Sequence, residues 1–310
     1  MNKTINAETL GITPKDGKLT VEQITKVKSY GCLRDKRFDD VFNVRVITRN
    51  GRITTDEQRS IAEAADRFGS SEVAMTSRLT VEIQGVSYEN IAPLIEFLAS
   101  RGLETGGTGA KVRPVVACKG TTCVFGLIDT AGLSMKIHER FYKGYHDTAL
   151  PHKLKIAVGG CPNNCVKPDT NDIGVIGQRV IKLSPELCRG CKKCVIEDSC
   201  PMKAAKINAD GKIAVDYTIC NRCGRCLGKC PFGVFGEAEA AYKLCIGGRW
   251  GKKCAVAKPL PVLFSSEEEV LDAIERAIIL FRDEGVKGER FADTIERLGF
   301  DYVESKILDK

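Results

Sequence analysis

The sequence predicts an α+β fold interrupted by a cysteine-dense insert, and three observations carry that prediction. Between Val41 and Ser100, β-branched runs alternate with amphipathic helical patterns in a β-α-β-α order. Between Arg113 and Cys165, strand-like runs end in two close cysteine pairs, Cys118 with Cys123 and Cys161 with Cys165. Between 184 and 237, eight more cysteines stand in two runs, and a strand pattern resumes after them.

Residues 1–37 read as a polar N-terminal arm or cap with one helical candidate, Val21–Ser29. Cys32 is isolated and reads as a small buried residue. V-F-N-V-R-V-I-T, from Val41 to Thr48, reads as a strand, and Asn50-Gly51 as a turn. Thr54 or Thr55 caps a helix running to about Phe68, with Asp56 and Glu57 in its first turn, and Gly69 stops it. One or two strands are expected within Val73–Val86. A second amphipathic helix follows over Tyr88–Ser100, with Ile91, Leu94, Ile95 and Leu98 on one face. Gly106-Gly107-x-Gly109 marks a loop, and Arg113 then lies on a strand leading into Cys118. Leu127–Tyr142 is helical in pattern, with His138 as a structural residue. Strands are expected over Asp172–Leu183 and Ala240–Ile246, and helices over Glu267–Glu284 and Phe291–Leu298.

The 310 residues suffice for two or three modules, and 43% hydrophobic with 28% charged residues is ordinary for a globular chain. No apolar run approaches the roughly 20 residues of a membrane span. The N-terminus shows no apolar secretory core, so a cytoplasmic chain is expected. In that reducing setting, 15 cysteines in C-x-x-C runs read as metal ligands rather than disulfides. The net charge of +7 is modest, and no basic block carries interleaved aromatics, which excludes a nucleic-acid reading.

The stretch R-P-V-V-A-C-K-G-T-T-C to L-P-H-K-L-K-I-A-V-G-G-C-P-N-N-C concentrates the chemistry. Four thiolates are the ligand set of a 4Fe-4S cluster. Gly159, Gly160 and Pro162 allow a tight turn at the second pair. Lys153 and Lys155 alternate with Leu154 and Ile156, so a strand would aim both ammonium groups to one face. Cations beside such a centre suggest an anion that is held and reduced.

The cysteine-dense insert is the most specific signal. Cys188-x2-Cys191-x2-Cys194-x5-Cys200-Pro201 and Cys220-x2-Cys223-x2-Cys226-x3-Cys230-Pro231 form a tandem bacterial ferredoxin signature. In such pairs the fourth cysteine of each run ligates the other cluster. Cys188, Cys191, Cys194 and Cys230 are therefore expected to hold one 4Fe-4S cluster, and Cys220, Cys223, Cys226 and Cys200 the other. The order of cysteines and both prolines argue against zinc.

G-G-C-P-N-N-C, preceded by L-P-H-K-L-K and R-P-x-x-x-C, resembles the sirohaem-containing sulfite and nitrite reductases. V-R-V-I-T-R-N-G-R-I-T-T-D-E-Q and A-M-T-S-R-L-T-V-E-I-Q-G-V are similar to that family's ferredoxin-like half-domain. The resemblance covers about residues 38 to 310 and is nearest to the catalytic chains of anaerobic sulfite reductases. It implies a ferredoxin-like half-domain over 38–110, a sirohaem/4Fe-4S domain over 111–183 and 238–310, and an inserted two-cluster ferredoxin domain over 184–237. It implies Cys118, Cys123, Cys161 and Cys165 as cluster ligands, with Cys165 bridging to the sirohaem iron. The first pair departs from the family's Cys-x5-Cys by one residue. The resemblance further assigns Arg78, Arg113, Lys153 and Lys155 to the substrate oxyanion. K-x-K favours sulfite, where nitrite reducers tend to K-x-N. Arg249, Lys252 and Lys253 in G-G-R-W-G-K-K are expected to hold sirohaem carboxylates.

The expected cofactors are sirohaem and three 4Fe-4S clusters. The expected reaction is six-electron reduction of sulfite to hydrogen sulfide. No dinucleotide fingerprint is present, so electrons are expected from donor subunits or a ferredoxin. A single copy of the reductase module leads us to expect a homodimer. Nitrite reduction to ammonia stays open as an alternative, as does a polyferredoxin-like electron-transfer subunit without catalysis. Cys245 and Cys254 carry no assignment.

Overall fold

The protein is described by a computed structural model covering residues 5–308. The chain divides into two compact units. The first takes the described residues up to Val116 with Ser134–Ile156 and Phe281–Thr294; the second takes Ala117–Leu133, Ala157–Leu280 and the described residues from Ile295 onward.

The first unit opens with α1 (Ala7–Leu10), α2 (Val21–Ser29) and β1 (Cys32–Arg34). There follow β2 (Val41–Ile47), α3 (Thr55–Phe68), β3 (Val73–Met75), β4 (Val81–Ser87), α4 (Ile91–Ser100) and β5 (Glu104–Thr105). The sheet order is β1-β2-β4-β3, all antiparallel, with β5 paired to β2. Period-two alternation buries Phe42, Val44 and Val46 on β2 and Val81 and Ile83 on β4, and a register shift opposite Phe42–Val44 keeps Val86 buried as well. Thr54 caps α3 through a reciprocal box: its hydroxyl accepts from Glu57 N at 3.2 Å, and Glu57 Oε2 accepts from Thr54 N at 2.6 Å. Ile61, Ala64 and Ala65 of α3 and Ile91, Leu94, Ile95 and Leu98 of α4 close the core.

The N-terminal segment differs from the expected arm. Leu10, Ile12, Val27 and Cys32 are buried in this same core, and β1 pairs with β2. Burial also pushes the Cys32 thiol up to about 12, so it packs as an apolar group.

The remaining elements, in chain order, are β6 (Val116–Ala117), α5 (Thr130–Ile137), β7 (Ile156–Gly159), β8 (Ile173–Lys182), α6 (Val195–Ser199), β9 (Ala205–Ile207), β10 (Ile213–Val215), β11 (Glu237–Ile246), β12 (Lys258–Phe264), α7 (Glu267–Glu284), α8 (Phe291–Leu298) and α9 (Phe300–Leu308). A five-stranded sheet runs β12-β11-β8-β7-β6. β8 and β11 pair antiparallel without a break from Lys182↔Glu237 to Ile173↔Ile246. The chain between them holds α6, the β9–β10 hairpin and a small core of Cys188, Ile196, Ala205, Ile213, Val234 and Phe235.

Three expectations are corrected. The helix expected over Leu127–Tyr142 begins only at Thr130 and becomes π-helical over His138–Lys143. Arg113 precedes a two-residue strand, and Lys153–Lys155 lie outside the ladder, joined only by a parallel bridge from Leu154 to Val112. β12 and α9 carried no sequence expectation. Pro259 and Pro261 mask β12, which tolerates them because it is the edge of its sheet. No helix among the described residues is long and apolar enough to cross a membrane.

Candidate anion site and thiol centres

In the first unit, basic side chains gather around two segments that lead into strands. Arg113 N donates to Leu154 O at 2.8 Å, which aligns the Arg113 segment with the Lys153–Lys155 segment. Arg78 lies in the tight loop between β3 and β4, where its N donates to Thr76 Oγ1 at 3.2 Å. Its Nη2 then donates to Pro114 O at 2.5 Å and to Ile156 O at 3.1 Å, tying both segments together. Lys153 and Lys155 are half-buried, on either side of the buried Leu154. Thus Arg78, Arg113, Lys153 and Lys155 belong to one local arrangement of the first unit.

Electrostatics gives that arrangement a sign. Burial pushes the Arg113 guanidinium down to about 10, and the charges of Arg45 and Arg290 add to the effect against the opposing pull of Tyr142. Its Nη1 donates to Gly107 O, while its buried Nε has no partner among the described residues. His152 is likewise held below its ordinary value, first by burial and then by Lys153, Arg290 and Arg113, with Asp293 opposing. His152 Nδ1 accepts from Lys153 N at 2.7 Å. Arg45 is neutralised by a largely buried pair with Glu82 at 2.5 Å. A bound anion would relieve the crowded positive field and satisfy the orphaned N–H.

Sequence reading missed Arg45, His152 and Arg290. His152 stands inside L-P-H-K-L-K and was within reach. Arg45 and Arg290 reach Arg113 only through folding, and no local pattern marks them.

In the second unit, the two cysteine loops meet. Cys118 N donates to Val158 O at 3.1 Å, and Gly160 N donates to Cys118 Sγ at 3.1 Å. The fully buried Thr130 donates its hydroxyl to Cys118 O at 2.7 Å. Gly160 and Gly120 touch: a Cβ on Gly160 would stand 2.8 Å from Gly120 Cα. Asn164, at φ 58°, turns the chain between Cys161 and Cys165. The Cys161 thiol is pushed up, chiefly by burial and also by the neighbouring Cys118, Cys165 and Cys123. All four expected thiols are therefore neighbours, and Cys165 is the exposed one.

Between β8 and β11, burial pushes the Cys226 thiol up to about 11, with Cys220, Cys223 and Cys200 adding to the shift. Cys200 lies near the second cysteine run, and with Cys220 and Cys226 it lines one small cavity. Cys188 belongs to the small core of this segment, Cys194, Cys200, Cys226 and Cys230 pack against it, and Cys191 is exposed. Backbone donors aim at the sulfurs: Ile213 N reaches Cys188 Sγ and Ala204 N reaches Cys200 Sγ, both at 3.3 Å. The N–H groups of Gly190 and Ile213 pull the Cys188 thiol below its ordinary value, and Lys212 assists.

Among the described residues, no three His, Cys, Asp or Glu side chains close around a single metal ion. A cubane would spread its thiolates over separate irons instead of closing them around one ion. Arg249 is buried and donates to Glu296 at 3.3 Å, whereas Lys252 and Lys253 are exposed on the loop closed by the Arg249–Ala255 backbone pair. The three cations of G-G-R-W-G-K-K are thus not brought to one point. Cys245 is buried, its thiol pushed up to about 11, and Cys254 is exposed.

Comparison with known proteins agrees with these motifs. Residues 108–310 match the nitrite and sulphite reductase 4Fe-4S domain, and residues 34–101 the nitrite/sulfite reductase ferredoxin-like half domain. The coenzyme F420-dependent sulfite reductase of Methanocaldococcus jannaschii is 30% identical over 269 residues, covering 86% of this chain and 42% of that protein. One of the anaerobic sulfite reductase chains of Salmonella typhimurium is 30% identical over 148 residues, covering 43% of this chain and 42% of that protein. This chain therefore matches less than half the length of each of these two relatives. The crystal structure of dissimilatory sulfite reductase I superposes with a TM-score of 0.70 over 88% of this chain and 70% of that one, at 23% identity, a likeness of fold. The chain belongs to the nitrite and sulphite reductase family, the sirohaem- and 4Fe-4S-dependent reductases to which its cysteine and basic motifs point.

Proposed function

We propose that this chain reduces sulfite to hydrogen sulfide. The observation that carries the reading is the gathering of Cys118, Cys123 and Cys165 around Cys161. Sirohaem joined to a 4Fe-4S cluster would supply single electrons to a bound oxyanion. Cys118, Cys123 and Cys161 serve as cluster ligands, and the exposed Cys165 serves as the ligand with a face left for the macrocycle. Arg78, Arg113, Lys153 and Lys155 bind the oxyanion and hold its charge. Donors of this kind are each worth about 2.7–4 kcal/mol at a transition state in other enzymes. Six electrons and eight protons convert sulfite to hydrogen sulfide and three waters, and the two lysines hand protons to the departing oxygens. Lys252 and Lys253 are exposed and serve the sirohaem carboxylates, with Arg249 holding their loop to Glu296.

The Cys188–Cys230 segment carries two further clusters that relay electrons from a donor subunit or ferredoxin. A homodimer in a reducing cytoplasm completes the proposal, and a fully active monomer at assay dilution would refute the dimer. Nitrite reduction is the second reading, since the matching family includes nitrite reductases. Lys155 in K-L-K supports sulfite.

The visible spectrum of the purified protein, with and without sulfite, tests the proposal. Tetrapyrrole bands that shift with sulfite are expected. Iron and sulfide without such bands would instead mean an electron-transfer subunit. Turnover compared between sulfite and nitrite decides the substrate.

A further inference from the structure

We infer that the segment between β8 and β11 is directional: electrons enter at the Cys191 side from an acidic one-electron carrier protein and leave at the Cys220 side. The inference rests on the cluster assignment proposed above and adds an order and a docking face to it.

The inner end is defined by contacts within the second unit. A cavity of about 360 Å³ is lined by Cys220 and Asn221 on one side and by Pro162 and Asn164 on the other. Pro162 and Asn164 flank Cys161 and Cys165 in sequence, so this cavity separates one member of the second cysteine run from the reductase thiol loop. The Oδ1 atoms of Asn164 and Asn221 are both buried without a partner among the described residues. Ordered water bridging the two loops would satisfy both, and it would couple them. Two more contacts fix the same end: Arg179 N of β8 donates to Arg222 O at 2.9 Å, and the Arg225 guanidinium lies 5.5 Å from the ring centre of Phe125, just beyond Cys123.

The outer end has the opposite character. Cys191 is an exposed thiol, whereas every thiol of the Cys220 run is at least half-buried. The loop around Cys191 carries Arg189, Lys192 and Lys193, and the carboxylates of Glu186, Glu197 and Asp198 stand beyond its two ends. Lys192 and Lys193 are exposed in the bend after Cys191. Large apolar side chains stand exposed in the flanking sequence: Leu187 at 46% and Val195 at 52%. Exposed cations directly beside an exposed redox ligand fit a carrier whose own redox centre is rimmed by carboxylates, because complementary charge steers the encounter. At each encounter the carrier is oxidised by one electron and the outer cluster reduced by one. No atom or proton changes hands.

The test is stopped-flow reduction of the oxidised holoprotein by an acidic reduced ferredoxin, followed by bleaching of the cluster absorbance. The variants are Lys192→Glu/Lys193→Glu and, at the inner end, Arg225→Glu; iron content and the resting spectrum report that each is intact. The outer variant is expected to lower the second-order rate at least tenfold at low salt and to flatten its salt dependence. Arg225→Glu is expected to leave that rate within twofold. Slowing by Arg225→Glu with no effect of the outer pair would reverse the direction, and no effect of either would remove the docking face. Cluster bleaching needs neither sulfite nor a tetrapyrrole, so failure of the reductase reading would leave this result intact.

Discussion

The two thiol regions of the second unit use the same donor chemistry on different foundations. Cys118 and Cys161 stand at the ends of strands, with β7 buried along its whole length and Gly120 locked against Gly160. Cys188 to Cys230 stand mostly on irregular backbone, stabilised by one five-residue helix, one short hairpin and a core of six buried residues. A core that small cannot hold a fold unaided, and the two clusters proposed for it would contribute much of the stability. The first site is shaped by the protein; on that proposal the second would be shaped largely by what it binds.

Removing the iron by chelation should break the symmetry most strongly. Amide protection of residues 188–230 should collapse, while β7, β8 and β11 stay protected; hydrogen exchange followed by mass spectrometry reads both at once. Equal loss in the two regions would refute the contrast. Next in size, Cys226→Ser should release about four irons per chain and leave the sulfite-sensitive bands in place, whereas Cys161→Ser should abolish those bands; iron analysis with absorption spectra checks each.

Arg113→Ala removes a cation the protein holds against its own positive field. It should lower kcat/KM for sulfite by about 10²–10³-fold with iron content unchanged. A smaller effect separates the glycines. A Cβ at Gly160 would meet Gly120 Cα at 2.8 Å and Cys118 Sγ at 3.4 Å, while one at Gly251 meets nothing within 4 Å. Gly160→Ala should destabilise by about 1–3 kcal/mol and Gly251→Ala by no more than about 0.5 kcal/mol, read from denaturant midpoints.

The smallest effect lies outside both thiol regions, at His138. Burial and Lys143 hold its imidazole below the ordinary 6.5, against the pull of Glu139 and Glu104. The folded state therefore binds fewer protons than the unfolded state just below that pH. Stability should fall as pH drops through this window and recover above it. His138→Gln should flatten the slope in a series of melts between pH 5 and 7.

Much of this molecule was legible because its signals are local. Thr54 with Glu57 announced α3, and the spacing of apolar residues placed α2, α7 and α8 at their observed ends. The cysteine spacing marked the thiols, whereas G-G-C pointed only to a tight turn, and the close approach of Gly160 to Gly120 was missed. What failed to show depends on distance along the chain. The pairing of β12 with β11 overrides two prolines, and Arg45, Arg113 and Arg290 are drawn together from three separate segments. Lys153 and Lys155 keep their alternation without a ladder, because a single bridge at Leu154 is enough to hold the extended backbone.

The uninterrupted register from Ile173↔Ile246 to Lys182↔Glu237 has an evolutionary consequence. The segment from 183 to 236 occupies the place of a hairpin turn, since it leaves and re-enters at neighbouring rungs of one ladder. A tight turn could replace it without shifting a single pair. Such a segment can therefore be acquired, swapped or discarded as a cassette, and with it the relay proposed for it, while the framework beneath keeps its alignment.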